Sequence, residues 1–99
     1  MSSQPEYENW QSFLELAKKS VESGQHEMLL TMLMTSDERA VLVSRINIFC
    51  ELLKGELSQR QISQLLGVGV ATITRGSNEL KSISEEEKSV LSSLLLSEK

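Results

Sequence analysis

The chain has 99 residues, 39% of them hydrophobic, with one Pro, five Gly and a net charge of −4. This is the length of one small domain spanning 1–99. Sparing use of helix breakers favours an all-α fold over a many-turned β fold, and no apolar run approaches the ~20 residues of a membrane span. One cysteine, Cys50, excludes an intramolecular disulfide and fits a reducing cytoplasm; a single histidine, His26, without a ligand-spaced partner argues against a metal site.

The amino-terminal MSSQPEYENW lacks the basic and apolar regions of a secretory signal, and residues 1–6 have the polar, Pro-containing character of a disordered arm. From Tyr7 the apolar residues Tyr7, Trp10, Phe13, Leu14, Ala17 and Val21 form one stripe of an amphipathic helix that ends near Gly24. Glu27 to Met34 is an apolar run too short for a stable isolated helix, so it should be buried on several sides. Thr35 and Glu38 form a capping box that starts a third helix. Val41, Leu42, Ile46, Phe49, Cys50, Leu52 and Leu53 make that helix apolar over much of its circumference, with Val43 and Ile48 on a second face, which predicts a central position. Gly55 closes it.

A second capping box, Ser58 with Gln61, opens a short fourth helix with Ile62, Leu65 and Leu66 as its inner face. Gly67-Val68-Gly69 is a tight turn, Ser63 a small residue where two helices can press together, and Val68 and Ile73 are inward plugs. The fifth helix runs from Val70 to about Ser82. This pattern over 59–82 is that of a helix-turn-helix, which places its second helix in the DNA major groove. The charge distribution agrees. Between Lys54 and Lys81 four basic residues face two acidic ones, a net +2 inside an acidic chain. Gly76-Ser77 in the middle of that helix is unexpected, because an interior glycine costs about 1 kcal/mol relative to alanine. Either a ligand or phosphate approaches the backbone there, or another helix packs closely. Ser84 with Glu87 is a third capping box, its acidic run lying where a helix dipole favours it, and Val90, Leu91, Leu94 and Leu95 bury a sixth helix.

TSDER at 35–39, ELLKGELSQRQI at 51–62 and above all GVATITRGSN at 69–78 resemble the Trp repressor family over roughly Trp10 to Lys81. The resemblance implies a six-helix subunit in an intertwined homodimer. It also implies L-tryptophan as co-repressor, no metal, and a palindromic double-stranded operator at which transcription of tryptophan biosynthesis and transport genes is blocked. By that resemblance Arg75 binds the tryptophan carboxylate, Arg45 stacks on the indole, and Gly76 lets the indole lie against the helix backbone. Thr35 and the backbone carbonyls of Met32 and Met34, from the partner subunit, complete the site; carbonyls at a helix end suit an ammonium. Glu79 stands where some family members have serine. A carboxylate there can pair with the ammonium, or can instead neutralise Arg75, and it costs more to desolvate.

On the DNA side, Gln59 and Arg60 can meet phosphates and an outer base, Arg60 being suited to guanine. Val70, Ala71, Thr72 and Thr74 begin the recognition helix with short side chains that fit water-bridged readout. Asn78 and Lys81 extend that face, Lys81 as a backbone contact. A ligand-independent helix-turn-helix module is the alternative reading, and a helical interaction protein with no DNA partner a weaker one. An enzyme is disfavoured: the sequence has no Ser/His/Asp set, no evident carboxylate pair and no phosphate loop.

Overall fold

The computed structural model describes residues 4–96. Among these the chain is all-helical: α1 Trp10–Glu22, α2 His26–Leu33, α3 Ser36–Lys54, α4 Gln59–Leu66, α5 Val70–Lys81 and α6 Glu85–Leu96. Residues 1–3 of the expected disordered arm lie outside the described residues; residues 4–6 are exposed and outside any helix. The described backbone falls into two compact units that divide between Arg39 and Ala40.

In the first unit the Asn9 side chain caps α1, its Oδ1 accepting from Ser12 N at 2.9 Å. The cap fixes the helix start at Trp10, so Tyr7, expected on the helical stripe, precedes the helix. Trp10 stacks on Phe13 with centroids 4.9 Å apart, yet remains 69% exposed. Gly24, at φ +73°, makes the left-handed turn out of α1 that a side chain would strain. The eight-residue α2 differs from expectation, because Met28, Leu30, Met32 and Leu33 are exposed rather than buried on several sides. Within its unit α2 packs against α1, which covers one face of it. Its carboxyl end is capped by a cation: Arg39 Nη1 donates to Thr31 O at 3.0 Å and Met34 O at 2.7 Å. The Thr35–Glu38 capping box is formed reciprocally, at 2.8 and 3.1 Å.

The core of the second unit takes one isoleucine from each of three helices: Ile48 of α3, Ile62 of α4 and Ile73 of α5. Leu52, Leu57, Leu66 and Val68 pack around them. Ile62 and Ile73 are fully buried, and each such side chain stabilises by about 1.5–3 kcal/mol relative to exposure. The Ser58–Gln61 box starts α4, and Gly67 at φ +68° ends it. Leu65, expected on the inner face of α4, points away from this core and is exposed.

Ser63 is more than a small residue at the turn. Its hydroxyl donates to the Val68 carbonyl, and its own carbonyl accepts from Gly67 N at 2.9 Å and Val68 N at 3.2 Å. These bonds fix the turn that sets α5 against α4. The Ser84–Glu87 box opens α6, with both bonds at 3.0 Å. Val41, Leu42, Val43 and Ile46 of α3, and Val90 and Leu94 of α6, remain exposed. The chain therefore has more apolar helical surface than it covers by itself.

Candidate ligand cavity and nucleic-acid face

The α-helical advance of about 100° per residue divides α5 into three stripes. Ile73 and Leu80 point inward and are buried. Val70, Ala71, Thr74, Asn78 and Lys81 share a solvent-exposed arc. Between the two lie Thr72, Arg75, Gly76 and Glu79, and all four line one cavity.

That cavity has a volume of about 290 Å³ and opens between α3 and α5, near the lower end of the ~300–1,000 Å³ usual for small-molecule sites. Its apolar wall comes from Val41, Ile48 and Phe49 of α3 and from Val68 of the turn. Its charged groups are Arg45, Arg75 and Glu79. None of these three forms an ion pair or side-chain hydrogen bond among the described residues. Arg75 and Glu79, four residues apart on α5, form no ion pair with each other. The arrangement suits a flat apolar ring carrying a carboxylate: the wall takes the ring, and a guanidinium offers the planar fork that matches the anion.

Gly76 has a structural reason to be glycine. A Cβ there would lie 3.2 Å from Ile48 Cγ2 and 3.5 Å from Leu52 Cδ1. Close packing of α5 on α3 thus accounts for the missing side chain, and the same backbone forms part of the cavity wall. Four of the expected ligand residues, Arg45, Arg75, Gly76 and Glu79, are brought together. Met32, Met34 and Thr35 belong to the other unit, at the end of α2 and the start of α3, where the Met34 carbonyl already accepts from Arg39.

The wall residues Val41, Ser44, Ile48 and Phe49 were not expected. Val41, Ile48 and Phe49 stand four before, three after and four after Arg45, which places them on the helical face that Arg45 occupies, with Ser44 at its edge. That spacing was the available signal.

On the exposed side, Thr74 Oγ1 donates to Gln59 Oε1 at 2.7 Å, linking α5 to the first turn of α4. That bond uses the hydroxyl hydrogen of Thr74, so its oxygen remains an acceptor and the Gln59 amide N–H groups remain donors. Lys54 is engaged with Glu51 at 3.3 Å, and Arg75 lines the cavity. Of the four cations in the 54–81 segment, Arg60 and Lys81 are therefore the ones left for phosphates. Thr72, expected on the DNA face, is exposed and also lines the cavity.

The model of the Trp repressor protein family matches residues 8–95. The chain belongs to the Trp repressor family. It is 72% identical over 96 residues to the Trp operon repressor homolog of Vibrio atlanticus, covering 97% of this chain and 98% of that one. It is 70% identical over 95 residues to the homolog of Vibrio vulnificus, covering 96% and 93% of the two chains. The homolog of Aliivibrio fischeri is 64% identical over 95 residues, covering 96% and 88%. The match to the Trp repressor family model takes in both helices of the α4–α5 pair and every residue lining the α3–α5 cavity.

Proposed function

We propose that the chain is a tryptophan-dependent transcriptional repressor that acts in the cytoplasm as a homodimer, with α4 and α5 forming its DNA-binding helix-turn-helix. The observation that carries this reading is the division of α5. One side of the helix lines a cavity suited to an indole carboxylate, and another presents Val70, Ala71, Thr74, Asn78 and Lys81 to solvent. Occupying the cavity therefore bears directly on the orientation of the exposed side. Arg75 binds the ligand carboxylate, Arg45 covers the indole face by cation–π stacking, and Ile48, Phe49 and Val68 exclude water from the ring. Thr35 and the Met32 and Met34 carbonyls of a second subunit close the site. The ligand's contribution is to fix α5 at the angle and spacing that two successive major grooves require, about 34 Å apart.

Dimerisation is supported by the uncovered apolar residues of α1, α3 and α6, among them Trp10, Val41, Ile46 and Leu94. On the DNA, Arg60 and the Gln59 amide serve the start of α4, and Lys81 reaches a phosphate. The expected palindromic operator mirrors the two-fold symmetry of the dimer, and the regulated genes are those of tryptophan biosynthesis and transport. The role is regulatory, with no catalytic chemistry and no metal.

The test is a gel-shift titration on such an operator at one fixed salt concentration, with and without L-tryptophan. Tighter binding only with tryptophan is expected. By linkage, operator must tighten tryptophan by the same factor. Equal binding in both conditions would instead leave a ligand-independent DNA-binding module.

A further inference from the structure

Three hydrogen bonds from the turn between α4 and α5 converge on Ser63. Its carbonyl accepts from Gly67 N at 2.9 Å and from Val68 N at 3.2 Å, and its hydroxyl donates to the Val68 carbonyl. The first two are the backbone bonds of a helix end closed by a left-handed glycine. The third depends on the side chain alone. With it, the N–H and the C=O of Val68 are both bonded to one residue of α4, so neither backbone angle of Val68 can turn far without breaking a bond. The next residue, Gly69, is the N-cap of α5 and has no side chain with which to hold the helix start. The direction in which α5 leaves the turn is thus set at Val68, whose side chain packs against the isoleucine core and also lines the α3–α5 cavity. Ser63 itself is half-buried and does not line that cavity.

We propose that Ser63 is a positioning residue whose hydroxyl biases α5 toward the DNA-binding orientation before any ligand arrives, and so sets the ligand-free affinity for DNA. The inference rests on the reading of the chain as a tryptophan-dependent repressor, in which the ligand shifts α5 toward one orientation. A protein whose competent orientation is only partly populated binds with an affinity reduced by that fraction. One net hydrogen bond favours the competent orientation by a factor of about five. Losing the hydroxyl lowers the small competent fraction of the ligand-free protein by that factor. Tryptophan at saturation restores the orientation from the cavity side. Tryptophan and operator draw on the same orientation, so each, added alone, loses the same factor. Ser63 thus tunes how strongly DNA binding depends on the ligand.

The test compares the full-length protein with its Ser63→Ala variant, by gel shift on the palindromic operator at one salt concentration and by titration calorimetry with L-tryptophan. The variant's folding is checked by circular dichroism. Ser63→Ala should weaken operator binding about fivefold without tryptophan, and tryptophan binding about fivefold without operator. Operator binding at saturating tryptophan should stay nearly unchanged. A merely structural role would move the two operator affinities together and leave their ratio as in the wild type, and that result overturns the proposal. Hydrogen exchange on the ligand-free wild type is a second measurement that needs no variant. The Gly67 and Val68 amides should be protected, and unprotected exchange at Val68 without tryptophan would equally overturn it. If the wild type binds operator equally with and without tryptophan, the tryptophan-dependent reading is itself wrong, and the role of Ser63 falls with it.

Discussion

Replacing Gly76 by alanine separates two forces that act in opposite directions. In a helix interior alanine is favoured over glycine by about 1 kcal/mol. The new Cβ, however, would meet Ile48 Cγ2 at 3.2 Å, whereas Leu52 Cδ1 at 3.5 Å and Phe49 Cε1 at 3.9 Å are ordinary contacts. Ile48 is 3% exposed and packs in the core with Ile62 and Ile73, so it yields the missing few tenths of an ångström only by disturbing them. Overpacking of this kind costs about 1–3 kcal/mol, and the net effect of Gly76→Ala is destabilisation by about 0–2 kcal/mol. Ile48→Ala removes the opposing methyl and by itself costs about 2–5 kcal/mol. In that background Gly76→Ala should become stabilising by about 1 kcal/mol, because only helix propensity remains. The assay is urea denaturation of the four proteins at one protein concentration, so that any linkage to association is held fixed. The coupling energy of the cycle should be about 1–3 kcal/mol. An equal effect of Gly76→Ala in both backgrounds would refute the argument that Ile48 dictates the glycine. Tryptophan affinity supplies an independent reading: if the ligand also needs the bare backbone, Gly76→Ala weakens binding even where Ile48 has been cut back.

Three further outcomes are expected. Ser58→Ala removes the acceptor for Gln61 N and should lower stability by about 1 kcal/mol, with Ser58→Gly costing less, both read from denaturation midpoints. Thr74→Val removes the hydroxyl that holds Gln59; operator affinity should fall several-fold while tryptophan affinity is unchanged, and an equal loss of both would show that the link supports the fold rather than the DNA face. Lys81→Ala should reduce the slope of log affinity against log salt by about one, whereas Lys54→Ala, whose cation is already engaged by Glu51, should leave the slope nearly unchanged.

What the sequence made legible was mostly local. The three capping boxes, Thr35–Glu38, Ser58–Gln61 and Ser84–Glu87, are all formed, because each needs only residues three apart in the chain. The plugs Val68 and Ile73 follow from their offsets around Gly67 and sit in the core. Covering is a different matter. Periodicity marks which face of a helix is apolar but not what lies against it, so α2 and the amino-terminal half of α3 carry the expected apolar residues and leave them exposed in the chain alone. The Thr74–Gln59 bond joins residues fifteen apart, and no local pattern announces it. The capping of the Met34 carbonyl by Arg39 was equally silent, since an arginine in the first turn of a helix reads as a solvated charge.

The α5 stripes show how local and distant constraints combine in one element. A twelve-residue helix offers too little circumference for a buried seam, a ligand wall and an exposed reading face unless each takes about a third. Ile73 and Leu80 confine the seam to two residues, and Gly76 permits it by letting α5 approach α3 without a side chain between them. Were residue 76 larger, α5 would be levered away from Ile48, and the cavity stripe and the exposed stripe would move together. The same rigidity that lets a ligand steer the exposed face also makes the glycine at the seam a structural requirement. It follows that α5 variants should sort by stripe: changes at 70, 74, 78 and 81 act on DNA affinity alone, changes at 75 and 79 on ligand affinity and only through it on DNA, and changes at 73, 76 and 80 on stability and both affinities together.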